Sequence, residues 1–315
     1  METAVRRWFS VAASVGILAT SFHASAQDPA QCQNVKFGEV GWTDIAATTA
    51  LASYVLKSIG YNPSSAIQSV PDTLKGLKNK QIDVYLGYWA PAQTGQVTPY
   101  VKSGDVKMLA KPNLVGAKYT LAVPSYAADA GLRSFEDLGK FKVELGYTMY
   151  GIEPGNEGNN YLNDMIQKNK FGLKDFMVTE WGEKGMLMAV KKAVEQKKFI
   201  AFLAWEPHPM NVDFKLTYLK GGDAYFGPNY GEAKVYTVLA NDYLTRCPNV
   251  GKFVSNLQFT LDMENRVMGS IMNKVKAPQA AMEWLKKNPA VLKNWLNGVT
   301  TFDGKEALPV VMSTL

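Results

Sequence analysis

Three tryptophans in this 315-residue chain stand where an apolar run stops. Trp42 closes the run in "FGEVGWTD", Trp89 in "VYLGYWAP" and Trp205 in "FLAWEPHP". A single Trp in such a place is more commonly core than platform, because indole is large and mostly apolar. Three of them in matching places argue for a shared surface. Aromatic faces carry negative quadrupole density and attract cations. They suit a quaternary ammonium above all, whose methyls cannot donate conventional hydrogen bonds. A sugar could stack on the same faces, but it needs many polar partners, and these run ends offer few. Asp44, two residues beyond Trp42, opens a helical pattern, where its ordinary role is an N-cap. Beside the rings its carboxylate would also add charge complementarity and accept a hydrogen bond. Trp181 ends another run, "FMVTEW", and reads as packing; Trp284 and Trp295 lie on helical patterns and read as core.

These residues must be positioned by alternating strands and helices. "VKFGEVG" reads as a strand and "DIAATTALASYVLKSIG" as a helix. The helix carries Ile45, Leu51, Ala52, Val55, Leu56 and Ile59 on one face, and Gly60 stops it. "SAIQSV" and "IDVYLGYW" follow as strands. The pattern restarts at "YTLAVP" and runs through "YTMYGIEPG" and "DFMVTEW" to "FIAFLAW". Such alternation, with nearly continuous apolar strands, predicts an α/β fold whose parallel sheets are covered on both faces. Ligands of open α/β sheets sit beyond the carboxyl ends of the strands, where the three tryptophans are. The C-terminal helices, among them "MENRVMGSIMNKV" and "AAMEWLKKNP", have no sheet of their own large enough to bury them. They are expected to pack back onto the first unit. The expected architecture is two α/β lobes: a discontinuous one of residues 27–115 and 211–315, and a second of residues 116–210. Two crossovers join them, and a cleft between them closes by hinge motion.

Arg6 and Arg7, an apolar run and Ala24-Ser25-Ala26 give residues 1–26 the pattern of a secretory signal peptide, with Gln27 the expected mature N-terminus. The run is short for a membrane span. Removing Glu2, Arg6 and Arg7 takes the formal charge from +6 to +5. The lysines are scattered, and no basic run interleaved with aromatics points to nucleic acid. His23 leaves with the signal, so His208 alone remains, which argues against a His-rich metal site and a Ser-His-Asp hydrolase. Cys32 and Cys247 would face an oxidising compartment. A disulfide is the natural reading, two free buried thiols the alternative. "EPH" at Glu206–His208 invites an acid–base reading. Yet no Gly-x-Ser-x-Gly elbow, spare cysteine or dinucleotide fingerprint accompanies it. The chain reads as a binding protein, not an enzyme, with no metal and no cofactor.

"GWTD", "LGYW", "LVGAKYTLAVP", "GIEPGN", "WEPHPMN", "KLTYLKGGD" and "FGPNYG", taken together and in order, resemble the periplasmic substrate-binding proteins of ABC importers for quaternary ammonium compounds. The resemblance covers essentially the whole mature chain. It implies the two-lobed type II substrate-binding fold and choline as the ligand. It implies a cation–π box of Trp42, Trp89, Tyr119 and Trp205, with Asp44 and Asn156 holding the choline hydroxyl. Tyr119 begins a strand, so the strand-end argument does not mark it, and Asn156 in "EPGNEGN" reads locally as a helix N-cap. The family pattern has Asp where this chain has Glu157; either starts a helix, so the difference is expected to matter little. A glycine betaine binder is the alternative within the class. Betaine's carboxylate would meet Asp44 as a like charge, whereas choline's hydroxyl donates to it. Acetylcholine fits only if the hydroxyl pocket has room. The expected partner is an inner-membrane ABC permease, and the expected state a free monomer in the periplasm.

Overall fold

The apolar runs become ten strands among the described residues, 27–315 of a computed structural model. The expected signal peptide, residues 1–26, lies outside them. The strands are β1 (Asn34–Glu39), β2 (Asn62–Ile67), β3 (Val84–Ala90), β4 (Val106–Met108) and β5 (Leu114–Pro124). Then follow β6 (Thr148–Gly151), β7 (Met177–Glu180), β8 (Ala201–Glu206), β9 (Leu216–Tyr218) and β10 (Glu232–Ala240). Their order is β2-β1-β3-β10-β5-β8-β6-β7, with β4 on β10 and β9 on β5.

Both ends of this path are parallel, as the alternation requires: β1 with β2 and β3, and β6 with β7 and β8. The middle is antiparallel, because β5 and β10 carry the chain between the two halves. β5 pairs with β10 through Leu114–Lys118 and with β8 through Lys118–Ala122, so its two ends serve different halves. β9 pairs with the last residues of β5, Ala122–Pro124. The continuous apolar runs are interior strands: β3 is buried from Val84 to Trp89, and β8 from Ala201 to Trp205. Burial on both faces is why neither run alternates.

The first helix, Thr43–Ser58, buries Ile45, Leu51, Ala52, Val55 and Leu56. Gly60, at φ +92°, takes the chain out of it. Helices Leu261–Met272 and Ala277–Lys287 pack on this first helix, so the end of the chain completes the layer begun at its start. Two ties fix the return. Cys32 and Cys247 form the expected disulfide, Cα–Cα 5.6 Å, across a separation of 215 residues. Beside it, buried Asp28 accepts hydrogen bonds from Tyr61 Oη (2.8 Å), Asn249 N (2.7 Å) and Val250 N (2.9 Å). The helix Pro248–Asn256 has no side-chain cap of its own, so a carboxylate from the other end of the chain satisfies its first amides. Among the described residues no helix is long and apolar enough to cross a membrane.

Asp28→Ala removes these three hydrogen bonds and leaves two helix amides buried without acceptors. The unfolding free energy is expected to fall by about 3 kcal/mol or more. Urea unfolding of the disulfide-intact variant beside wild type measures it, and a loss under about 1 kcal/mol would mean that solvent caps this helix as well as Asp28 does.

Candidate functional site

The strand ends converge. After β1 the chain turns at Gly41, φ +85°, where an L side chain would be strained, and Trp42 then stands in extended conformation at the N-cap of the first helix. An indole cannot accept the helix's free N–H groups, and Trp42 does not. Asp44, in the first turn, lies buried beneath it. Trp89, at the end of β3, donates Nε1–H to Asp44 Oδ2 at 3.1 Å. On the other half, Tyr119 of β5 and Trp205 of β8 are direct cross-strand partners, so their side chains share one face.

Asn156 caps the helix Glu157–Gln167, accepting Gly158 N at 2.8 Å and the Tyr119 hydroxyl at 2.7 Å on the same oxygen. This contact needs glycine at 158, since a methyl there would fall 2.1 Å from the Tyr119 hydroxyl. All six residues expected at a ligand site, Trp42, Asp44, Trp89, Tyr119, Asn156 and Trp205, line one small cavity. Trp181 is not among them. It sits half exposed beyond the edge strand β7, its ring 5.9 Å from that of Tyr150.

The four rings are almost wholly buried, with 4–8 % of each residue exposed. Trp42 Nε1 donates to Glu153 Oε2 at 2.9 Å, and Asn156 Nδ2 to Glu153 Oε1 at 3.0 Å. With Trp42, Trp89 and Tyr119 each partnered at their polar atoms, what these rings add to the cavity is carbon surface. Further bonds hold its walls together. Glu183 accepts Thr43 N at 2.8 Å and also the Thr43 hydroxyl, so it caps the first helix from a different part of the chain. Tyr161 donates to Ala92 O at 2.9 Å. These bonds hold the two halves together around the cavity.

Negative charge without a basic partner defines the electrostatics. No Lys, Arg or His lines the cavity among the described residues. Burial, then the nearby charge of Glu183, pushes the Asp44 carboxyl up to about 7, against weaker opposing hydrogen bonds from the Ile45 backbone and Trp89. Burial and then the charge of Glu153 push Glu157 up to about 7 as well. Asp44 Oδ1 and Glu157 Oε1 are both buried with no hydrogen-bond partner. Glu264, fully enclosed and close enough to feel Asp44, is held well above the carboxylate range.

Several lining residues were not expected from the sequence. Gln93 supports Trp89, its Oε1 lying 3.3 Å from Trp89 N. Glu157 is the more consequential: its place after an N-cap was legible, its burial against the cavity was not. Glu206 and His208 do not line the cavity. Glu206 pairs with Lys118 at 3.1 Å, while buried His208 accepts Met210 N on Nδ1 and meets Glu183 through Nε2. Among the described residues no group of three His, Cys, Asp or Glu could hold a metal ion. An apolar, aromatic, acid-bearing cavity of this kind suits a compact cation with an apolar skin.

The chain as a whole resembles known proteins. The family model for the substrate-binding domain of the ABC-type glycine betaine transport system matches residues 33–287. A solved ABC-transporter choline-binding protein in complex with choline is 48 % identical, with a TM-score of 0.89, covering 91 % of this chain and 99 % of that one. An ABC-transporter choline-binding protein in an unliganded, semi-closed conformation, also 48 % identical, has a TM-score of 0.82 and covers 90 % and 99 %. Lactococcal OpuAC, closed on glycine betaine, is 25 % identical with a TM-score of 0.76, covering 83 % and 98 %.

Asp44 makes a pH prediction. Its folded-state value of about 7 exceeds the ordinary 3.8, so between those two pH values the closed protein holds a proton that the unfolded chain has released. Stability from this group is therefore present in full below about pH 4 and lost as pH rises to about 7. Asp44→Asn escapes that loss while keeping an acceptor for Trp89. Its melting temperature without ligand is expected to exceed that of wild type by a margin that widens from pH 4 to pH 7 and then stays level. About 4 kcal/mol is the ceiling, because opening the cleft re-solvates the carboxylate. A margin independent of pH would place Asp44 in water.

Proposed function

Because the chain belongs to the family of substrate-binding domains of ABC-type glycine betaine transport systems, we propose that it captures choline and delivers it to an ABC permease. Its fold is the two-lobed α/β architecture of periplasmic substrate-binding proteins. We divide the mature chain into a discontinuous lobe, 27–115 with 211–315, and a second lobe, 116–210, with β9 reaching across to β5. The ligand sits between them. Its trimethylammonium group is enclosed by Trp42, Trp89, Tyr119 and Trp205, each face attracting the cation and excluding water. Its hydroxyl donates to Asp44 Oδ1, the acceptor that lacks a partner. Asn156 Nδ2 uses one hydrogen on Glu153 and offers the other to the hydroxyl oxygen.

The observation that carries this reading is the combination of four buried rings with unpartnered carboxylate oxygens and no basic lining residue. It also separates choline from betaine. Above about pH 7, where Asp44 and Glu157 are ionised, betaine's carboxylate would enter beside them as a like charge, with no cation lining the cavity among the described residues. Acetylcholine lacks the donor that Asp44 awaits, and binds more weakly for that reason. No Ser, Cys, Lys or His lines the cavity among the described residues, and we read the protein as a carrier that releases its ligand unchanged, not an enzyme. We place it in the periplasm, exported by a cleaved signal peptide and monomeric, with its disulfide suited to that compartment.

Calorimetric titration with choline, acetylcholine, glycine betaine and carnitine tests the reading, and a wild-type protein that ignores choline would end it. Choline has about seven heavy atoms, so its binding free energy can hardly exceed ~10 kcal/mol, which makes low-micromolar affinity the natural expectation. Trp205→Ala removes a desolvated cation–π face worth ~2–3 kcal/mol, raising Kd by a factor of roughly 30 to 150. Melting of the ligand-free variant is the control. A large destabilisation with near-native choline affinity would make Trp205 core and nothing else.

A further inference from the structure

Glu157 is the first residue of an eleven-residue helix, a place where carboxylates are common, and usually solvated, because the helix dipole favours them. Here it is 6 % exposed and lines the cavity. Its Oε1 has no hydrogen-bond partner, and no salt bridge reaches its side chain among the described residues. The dipole does not offset this burial, as the raised carboxyl shows. The contact between Gly158 and the Tyr119 hydroxyl holds this turn against the ring wall, so Glu157 has no ready route out to solvent while the cleft is shut. A buried carboxylate oxygen without a partner requires an explanation, and a partner that arrives with the ligand supplies one.

We propose that Glu157 is a specificity-determining residue of this cavity, a second anionic wall that makes net positive charge on the ligand a condition for tight binding. The inference rests on the reading of the cavity as a choline site and deepens it. Asp44 and Glu157 divide the task. Asp44 reads the hydroxyl through a hydrogen bond, which any alcohol of the right shape can make. Glu157 reads charge, which shape cannot imitate. A trimethylated ligand without the positive charge gains the packing and loses the attraction. A zwitterion keeps the ammonium but brings a carboxylate that meets Glu157 as a like charge once that side chain is ionised, above about pH 7.

The test compares wild type, Glu157→Gln and Glu157→Asp by calorimetry. The ligands are choline, glycine betaine and 3,3-dimethylbutan-1-ol, which keeps choline's shape and hydroxyl but replaces the charged nitrogen with carbon. Wild type must first bind choline; if it does not, the choline reading fails before this one is reached. Given that binding, Glu157→Gln is expected to weaken choline by about tenfold or more. The neutral alcohol should hold its wild-type affinity, and the choline-to-betaine ratio should shrink by about tenfold. Glu157→Asp, which keeps the charge, should preserve the wild-type ranking. Equal losses for choline and the neutral alcohol in Glu157→Gln, or no change in any affinity, would reduce Glu157 to a helix-start residue and overturn the inference.

Discussion

Moving a carboxylate out of water costs several kcal/mol even after the surroundings relax. This protein gathers Asp44, Glu157, Glu183 and Glu264, all buried, at and around one cavity that no basic side chain among the described residues lines. Much of the structure near the cleft serves to make that arrangement tolerable. The amide N–H and the hydroxyl of Thr43 at the start of the first helix meet Glu183, and the indole N–H groups of Trp42 and Trp89 meet Glu153 and Asp44. These donors soften the burial without cancelling it, as the raised Asp44 and Glu157 show. On the proposed reading the missing charge is the ligand's: a compact cation would complete the electrostatics, held by the same rings that exclude water from it.

The proposed site depends on both halves of the molecule at once. Trp42 and Trp89 come from one half of the sheet path and Tyr119 and Trp205 from the other, so the four rings come together only where the halves meet. The first helix makes the dependence explicit. Its N-cap is a tryptophan, which cannot cap, and Glu183 takes that role from a distant part of the chain. The Trp42–Glu153 and Tyr161–Ala92 bonds work in the same way.

Reading the sequence alone recovered what local chemistry encodes. Trp42, Trp89 and Trp205 were legible because glycine or proline punctuation ends each apolar run beside them, and Asp44 because a helical period begins there. Tyr119 was not legible from its neighbours. It lies within β5, and only the register that sets it opposite Trp205 turns it to the site. That residue and Asn156 came with the family resemblance. The strand-end rule also marked Trp181, but an edge strand has no second layer to enclose its end, and the ring stays half exposed. The second strand was expected at "SAIQSV" and runs from Asn62 to Ile67 instead, because Ser69 caps the next helix through Asp72 N and takes Val70 into it. Glu157 and Glu183 escaped for a common reason: nothing local tells a solvated carboxylate from a buried one.

The disulfide has a consequence for how the molecule is made. A chain crossing a membrane N-terminus first exposes Cys32 early, while its partner follows 215 residues later. The strand that lies between β3 and β5, β10, is also the last to appear, so one half of the molecule must wait for the chain's final quarter. Chains with many cysteines risk scrambled bridges during such a wait. This one carries two, so within a single molecule there is only one way to pair them. The remaining error is between molecules, two half-emerged chains joining through Cys32. Fidelity of assembly thus becomes a matter of how densely nascent chains crowd one another, not of which thiols a chain must choose between.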